Sequence, residues 1–282
     1  MSYRALAVVP VLLTAALAAG MYLLVPHDAF VLAVQLEVDA SKLVALAGMI
    51  AAALAFERGD YLRRGWGAWA ANFALLLARD ATLPFEGTMS HGAFVAVRGL
   101  LVGVGNASMV YGTWTLARAW GVAGLEYAGT KTARRLTIAL AVLAAIAFAG
   151  PTTVVDVRDA FTPGGLRFDS LASDAGDLLS LPLLAPVALT ALAVQGGTLR
   201  WPWTILTSSL VAWLLYDAVY TMPEYVHVAR APAQLASEQL HALAGLLACA
   251  AGLAQRKAVT DDDDGAAEAP AQARHDRPGA EG

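Results

Sequence analysis

The sequence predicts an all-α polytopic membrane protein, with eight transmembrane helices arranged as two parallel four-helix repeats. Three observations carry that prediction. The chain is 58% hydrophobic and 15% charged, where a soluble domain carries about 25% charged residues. Its apolar residues gather in long runs, and roughly 20 such residues cross a hydrocarbon core about 30 Å thick. Finally, GDYLRRGW (59–66) returns as GGTLRWPW (196–203), with Gly, Leu, Arg and Trp at the same four places.

The spans are placed near 5–25, 41–56, 66–85, 93–117, 135–155, 178–195, 202–222 and 238–255. Backbone in lipid has no water to bond, so each is read as a helix. The first follows Arg4 and contains AALAAG (15–20), which also resembles a signal-peptide cleavage region. Its apolar run exceeds the roughly 7–15 residues of a signal core, which favours a retained helix. The second and sixth are short and borrow flanking residues. The third and seventh follow the two related octets, whose Trp66 and Trp203 are expected in the interfacial aromatic belt. The fourth holds Gly99 and Gly103, a GxxxG spacing suited to close helix contact. The fifth and sixth contain Pro151, Pro182 and Pro186, which kink helices and free carbonyls. The eighth contains the single cysteine, Cys249, read as a small core residue.

Orientation follows from Lys and Arg. With the N-terminus cytoplasmic, inner segments hold Arg4, Arg58, Arg63, Arg64, Arg118, Lys131, Arg134, Arg135, Arg200, Arg256 and Lys257. The opposite side holds Lys42, Arg79, Arg98, Arg158, Arg167 and Arg230. The excess predicts both termini inside a cell (inner) membrane, which requires an even number of spans. Residues 258–282 are acidic and rich in Pro, Gly and Ala, a composition expected to be a disordered cytoplasmic tail.

The repeat extends beyond the octets. Residues 59–81 align with 196–218 without a gap, matching Gly59/Gly196, Arg63/Arg200, Trp66/Trp203 and Asp80/Asp217 among others. AGMYLLVPHDAF (19–30) parallels AGPTTVVDVRDAF (149–161), and RGLLVG (98–103) more weakly parallels AGLLAC (244–249). The order is preserved and the offset grows along the chain. The units are therefore set at 1–128 and 129–257. Four spans is an even number, so both copies enter from one side, related by an axis along the membrane normal, as in parallel-repeat transporters.

Asp80 and Asp217 are the leading candidates for chemistry. Each lies 14 residues past its tryptophan, about 21 Å along a helix, in the outer third of the core. A carboxylate there is costly and marks an ion or proton path, or pairs locally with arginine. They are expected to face one another across the repeat axis. Arg98, near the outer end of the fourth span, is the expected partner of one carboxylate. Asn106, with Ser108, lies mid-span, to pack or to line a path. His91 and His241 are read as helix-start residues on the outer side, weak candidates for a metal with Glu86 and Glu238; solvated positions are the plainer expectation. No lysine falls mid-span, so no Schiff-base lysine is expected. Phosphate-loop, HExxH and GxSxG patterns are absent from the sequence.

These readings favour a small transporter or channel-like permease for an ion or small polar solute. The alternative is a non-catalytic membrane sensor or assembly scaffold that binds partner helices. An enzyme ranks third, for want of a catalytic constellation. The implied partners are the lipid bilayer and, for the scaffold, a second copy or another membrane protein. No cofactor and no nucleic acid are implied.

Overall fold

The computed structural model describes residues 1–26, 29–122, 130–160, 168–193, 198–226 and 230–267. Its helices are α1 (Tyr3–Leu24), α2 (Phe30–Leu54), α3 (Tyr61–Asp80), α4 (His91–Val122), α5 (Lys131–Ala160), α6 (Phe168–Ala193), α7 (Arg200–Tyr225) and α8 (Arg230–Ala267). A 3-10 turn at Leu83–Phe85 links α3 to α4, and no strand occurs among the described residues. Six helices, α1 and α4 to α8, are long and apolar enough to cross a membrane, which marks a multi-pass membrane protein. The remaining two carry more charge: Glu37, Asp39 and Lys42 in α2, and Arg63, Arg64, Arg79 and Asp80 in α3.

That charge also explains where the helix limits differ from those expected. A search for apolar runs stops at charged residues, whereas the helix continues through them when they are paired. So α2 begins at Phe30 rather than near 41, and α6 at Phe168 rather than near 178. Lys42 thus stands mid-helix, and not at the outer edge where the expected limits put it. α8 begins at Arg230, with Pro232 in its first turn, where a missing N–H costs nothing. His241 is therefore well inside α8 and not at its start. α8 also runs on to Ala267, so the beginning of the 258–282 segment continues the helix; residues 268–282 lie outside those described, as do His27, Gly196 and Phe161.

The octet GDYLRRGW makes a tight turn between α2 and α3. Gly59 takes a φ of 97°, a left-handed conformation that suits glycine. Asp60 Oδ1 accepts the Leu62 N–H at 2.6 Å and caps α3. Arg63 Nη1 donates to the Phe56 carbonyl at 3.0 Å, just past the end of α2. Elsewhere, Ser2 Oγ accepts the Ala5 N–H at the start of α1, and Thr130 Oγ1 the Ala133 N–H at the start of α5.

Six helices close into a ring in the order α2, α3, α4, α6, α7, α8 and back to α2, with α1 resting on α8 and α5 on α6 and α7. Contacts fix the directions. Asn72 of α3 lies by Gly105 of α4, and Gly65 by Leu116, so these two run antiparallel. Ser41 lies by Gly245 and Gly48 by Cys249 and Gly252, so α2 and α8 run parallel. Lipid tails are as apolar as leucine, so helices in a bilayer are held by close packing and polar ties rather than by a hydrophobic drive. The α2–α8 seam fits that rule: a Cβ added at Gly48 would sit 2.6 Å from Cys249 Cα. Ser209 Oγ donates to the Ala244 carbonyl at 2.8 Å across the α7–α8 seam.

Both described ends of the chain meet at one end of the bundle. Tyr3 stacks on Trp201 with ring centres 6.3 Å apart, and its hydroxyl donates to Asp261 Oδ2 at 3.3 Å. The half of the ring nearest this end is packed with large apolar side chains, including Trp66, Trp69, Phe73, Leu116, Trp203, Leu206 and Leu210. Trp66 is 0% and Trp203 4% exposed, which corrects their expected place in an interfacial belt: both point into the core. An exposed Tyr111–Trp114 pair lies on α4 instead. The other half of the ring is polar.

Candidate functional site

The polar half is built from two carboxylate-bearing junctions and a cavity between them. At the α2–α3 junction, Lys42 Nζ lies 2.5 Å from Asp80 Oδ2 and 3.4 Å from Asp39 Oδ1. Arg79 Nε donates to Asp80 Oδ1 at 2.7 Å. Asp80 is the last residue of α3 and is buried, and Lys42 is 1% exposed. The charges at this junction, Asp39, Lys42, Arg79 and Asp80, balance. Arg98 Nη1 reaches from α4 to the Arg79 carbonyl at 3.1 Å, where the α3 dipole leaves partial negative charge. It also lies 3.4 Å from Thr82 Oγ1, and its guanidinium sits over the Phe94 ring.

The α6–α7 junction has the opposite character. Asp177 of α6 and Asp217 of α7 are hydrogen-bonded to each other through their side chains. A carboxylate is acceptor-only, so such a bond requires that one of the two carry a proton. Charged neighbours acting on Asp217 are Asp177, Asp174 and Asp156, all acidic. Thr152 of α5 brings its Oγ1 to 3.2 Å from Asp174 Oδ1. Buried Asp174 Oδ2 and Asp217 Oδ2 have no hydrogen-bond partner.

Between the junctions lies a cavity of about 90 Å³ lined by Asn72, Leu76 and Arg79 of α3, Asn106 and Met109 of α4, Ser173 and Asp177 of α6, Trp213 and Tyr216 of α7, and His241 of α8. It is large enough for a few waters or a small ion. The wall residues with buried polar atoms that lack a hydrogen-bond partner are Asn72 (Oδ1), Trp213 (Nε1) and His241 (both ring nitrogens). His241 is packed against Trp213 and Tyr216, with ring centres 4.4 and 4.9 Å away, and its Nδ1 lies 3.5 Å from Glu238 Oε2. Asn106 donates from Nδ2 to the Val102 carbonyl at 3.1 Å. Its Oδ1 fits beside Gly176, where a Cβ would come within 2.8 Å. Unsatisfied buried groups cost about 1–3 kcal/mol each, so their gathering around one cavity points to water or a ligand there.

The sequence candidates are thus distributed as follows. Asp80 pairs with Lys42 and Arg79, Asp217 with Asp177, and Arg98 with the end of α3. Asn106 and His241 line the cavity. Burial of His241 corrects its reading as a solvated helix start, whereas His91 does begin α4 and is exposed. No group of three His, Cys, Asp or Glu side chains gathers to hold a metal among the described residues. Sequence reasoning missed Lys42, Asn72, Asp174, Asp177 and Tyr216. A signal for three of them was present. Asp39-Ala-Ser-Lys42-Leu-Val-Ala-Leu46 and Asp174-Ala-Gly-Asp177-Leu-Leu-Ser-Leu181 lie 135 residues apart and share Asp, Ala, Leu and Leu. Charged residues hide it, because they end the apolar runs of the second and sixth spans and leave these positions at the edges.

No protein-family model matches the chain, and no curated protein or solved structure does either.

Proposed function

We propose that the protein is a carrier for an ion or small polar solute, built from two copies of a four-helix unit that cross the membrane in the same sense, eight spans in all. The observation that carries this reading is the Asp177–Asp217 pair beside a buried polar cavity inside a ring of membrane helices. Carboxyls at membrane depth are expensive to keep, and proton and ion pathways are where they are kept.

Packing supports the two copies. Stepping three places around the ring turns each interface into its counterpart: α2–α3 into α6–α7, α3–α4 into α7–α8, and parallel α4–α6 into parallel α8–α2. The Lys42–Asp80 and Asp177–Asp217 bonds then fall at equivalent places. The outer helices break the pattern, since α5 packs on α6 and α7 while α1 packs on α8. For α2, an outer face of Val31, Leu32, Leu36, Leu43 and Ile50 suits lipid, which supports a span despite its inward charges. At the end of the bundle that holds the chain ends, Arg118, Lys131, Arg134 and Arg135 line one open groove, which favours the cytoplasmic side for that end.

Proteoliposome flux tests the carrier. Wild type is expected to move protons, seen with an entrapped pH dye, and both Asp177→Asn and Asp217→Asn to lose at least about tenfold in rate, roughly 1.4 kcal/mol in barrier. Variants that fold normally and keep full flux would remove the carboxyl pair from the mechanism. The second reading is a sensor or scaffold. It is favoured by the tight apolar packing of half the ring and by the many leucines and valines exposed on α1 and α5, which suit partner helices. On that reading wild type shows no flux.

A further inference from the structure

We infer that the carboxyl pair of the second half is a binding site for a primary ammonium, either ammonium itself or a small protonated amine, and that Lys42 is the built-in likeness of that ligand in the first half. The inference rests on the two-copy reading above and adds the ligand class.

It starts from the equivalence of the two junctions. Asp39, Lys42 and Asp80 correspond to Asp174, Asp177 and Asp217 in sequence order and in the helices they join. In the first half an ammonium on a four-carbon tether sits between two carboxylates, 2.5 Å from Asp80 and 3.4 Å from Asp39. In the second half the tether is gone and a third carboxyl takes its place. Asp174 Oδ2 and Asp217 Oδ2 are buried and accept no hydrogen bond from a conventional N–H or hydroxyl donor. Asn72 supplies the independent observation. It belongs to α3, is 2% exposed, and its Oδ1 is an unpartnered acceptor on the wall of the cavity that Asp177 also lines. An ammonium offers three donors. On the cavity wall the acceptors Asn72 Oδ1 and the Asp177 carboxyl are the complement of such a group, and a cavity of about 90 Å³ limits it to a small one.

Entry of the cation balances by proton release. The pair holds one proton between two carboxyls; R–NH3+ takes its place and one H+ leaves, with only an O–H bond broken. Titratable or charged groups facing the pair are Asp156 from α5, Asp174 from α6, Tyr216 from α7, Arg79 from α3 and, across the cavity, His241 from α8.

The test uses the full chain in detergent, with methylammonium chloride as probe and tetramethylammonium chloride, which has no N–H donors, at equal ionic strength. Methylammonium is expected to raise the melting temperature of the wild type, following the logarithm of its concentration over Kd, and to acidify a weakly buffered solution. Tetramethylammonium is expected to do neither. Asp177→Lys, which copies the first junction, is expected to fold and to lose the methylammonium response at least tenfold. Should Asp177→Lys not fold, Asp217→Asn serves, with the same loss expected. Equal responses to the two salts, or a full methylammonium response in a folded variant, would overturn the inference. Proton flux without any methylammonium effect leaves the carrier and removes the ammonium site; selective binding without flux removes the carrier and keeps the site.

Discussion

Lys42 and Asp80 show how a membrane protein keeps charges it cannot hydrate. Taking both ions out of water costs several kcal/mol each, and their attraction repays this only because Arg79 and Asp39 complete the set. Removing one partner strands the other. Lys42→Ala is therefore expected to destabilise the fold by about 3–5 kcal/mol, whereas the double variant Lys42→Met with Asp80→Leu is expected to recover much of that loss. Thermal melts of the single and double variants in one detergent check this, and a double variant no better than Lys42→Ala would sink the pairing argument. His241 offers a contrasting case at the same scale. Its Nε2 has no partner, so His241→Phe is expected to cost little stability, within about 1 kcal/mol, while altering what the cavity holds. A large loss on melting would mean that the imidazole is a structural bond-former after all.

At the scale of the helix, close approach decides where substitution is tolerated. Gly252 on α8 faces the Gly48 carbonyl on α2, and a Cβ at either glycine would run into backbone. Backbone cannot swing aside as a side chain can. Gly48→Ala and Gly252→Ala are each expected to cost about 1–3 kcal/mol, as overpacking does. Gly67→Ala on α3 meets nothing within 4 Å, so it is expected to be neutral or to stabilise by up to about 1 kcal/mol. Melting temperatures of the three variants check the order, and Gly67→Ala as the worst of them would contradict the packing described. Gly245 and Cys249, small residues four apart on α8, both meet α2. The sequence does not name α2 as their neighbour, because small residues say that a helix can come close and not which helix will. On α4, the close contacts to α3 run through Gly105 and Gly112, beyond the GxxxG spacing of Gly99 and Gly103.

For the whole molecule, the number and sense of crossings are the testable quantities. With Cys249 replaced by alanine, single cysteines at Glu57 and Gly87 lie in exposed turns on either side of α3. On the eight-span reading, Gly87→Cys is expected to react with a membrane-impermeant maleimide on intact cells, and Glu57→Cys only after permeabilisation. Labelling of both from one side would leave α3 short of a crossing.

Helical class and the membrane character were determined by the sequence alone. Each follows from local physics: the thickness of a hydrocarbon core, the backbone's need for hydrogen bonds within it, and composition along a run of residues. Tertiary structure alone decided that Trp66 and Trp203 turn inward, that His241 lies against Trp213 and Tyr216, and that Asp217 meets Asp177 while Asp80 meets Lys42. Those outcomes depend on the lateral order of the ring, with α4 beside α6 and α8 beside α2. That order is fixed by shape and polar contacts between segments far apart in the chain, and hydropathy, which weighs each segment singly, is blind to it.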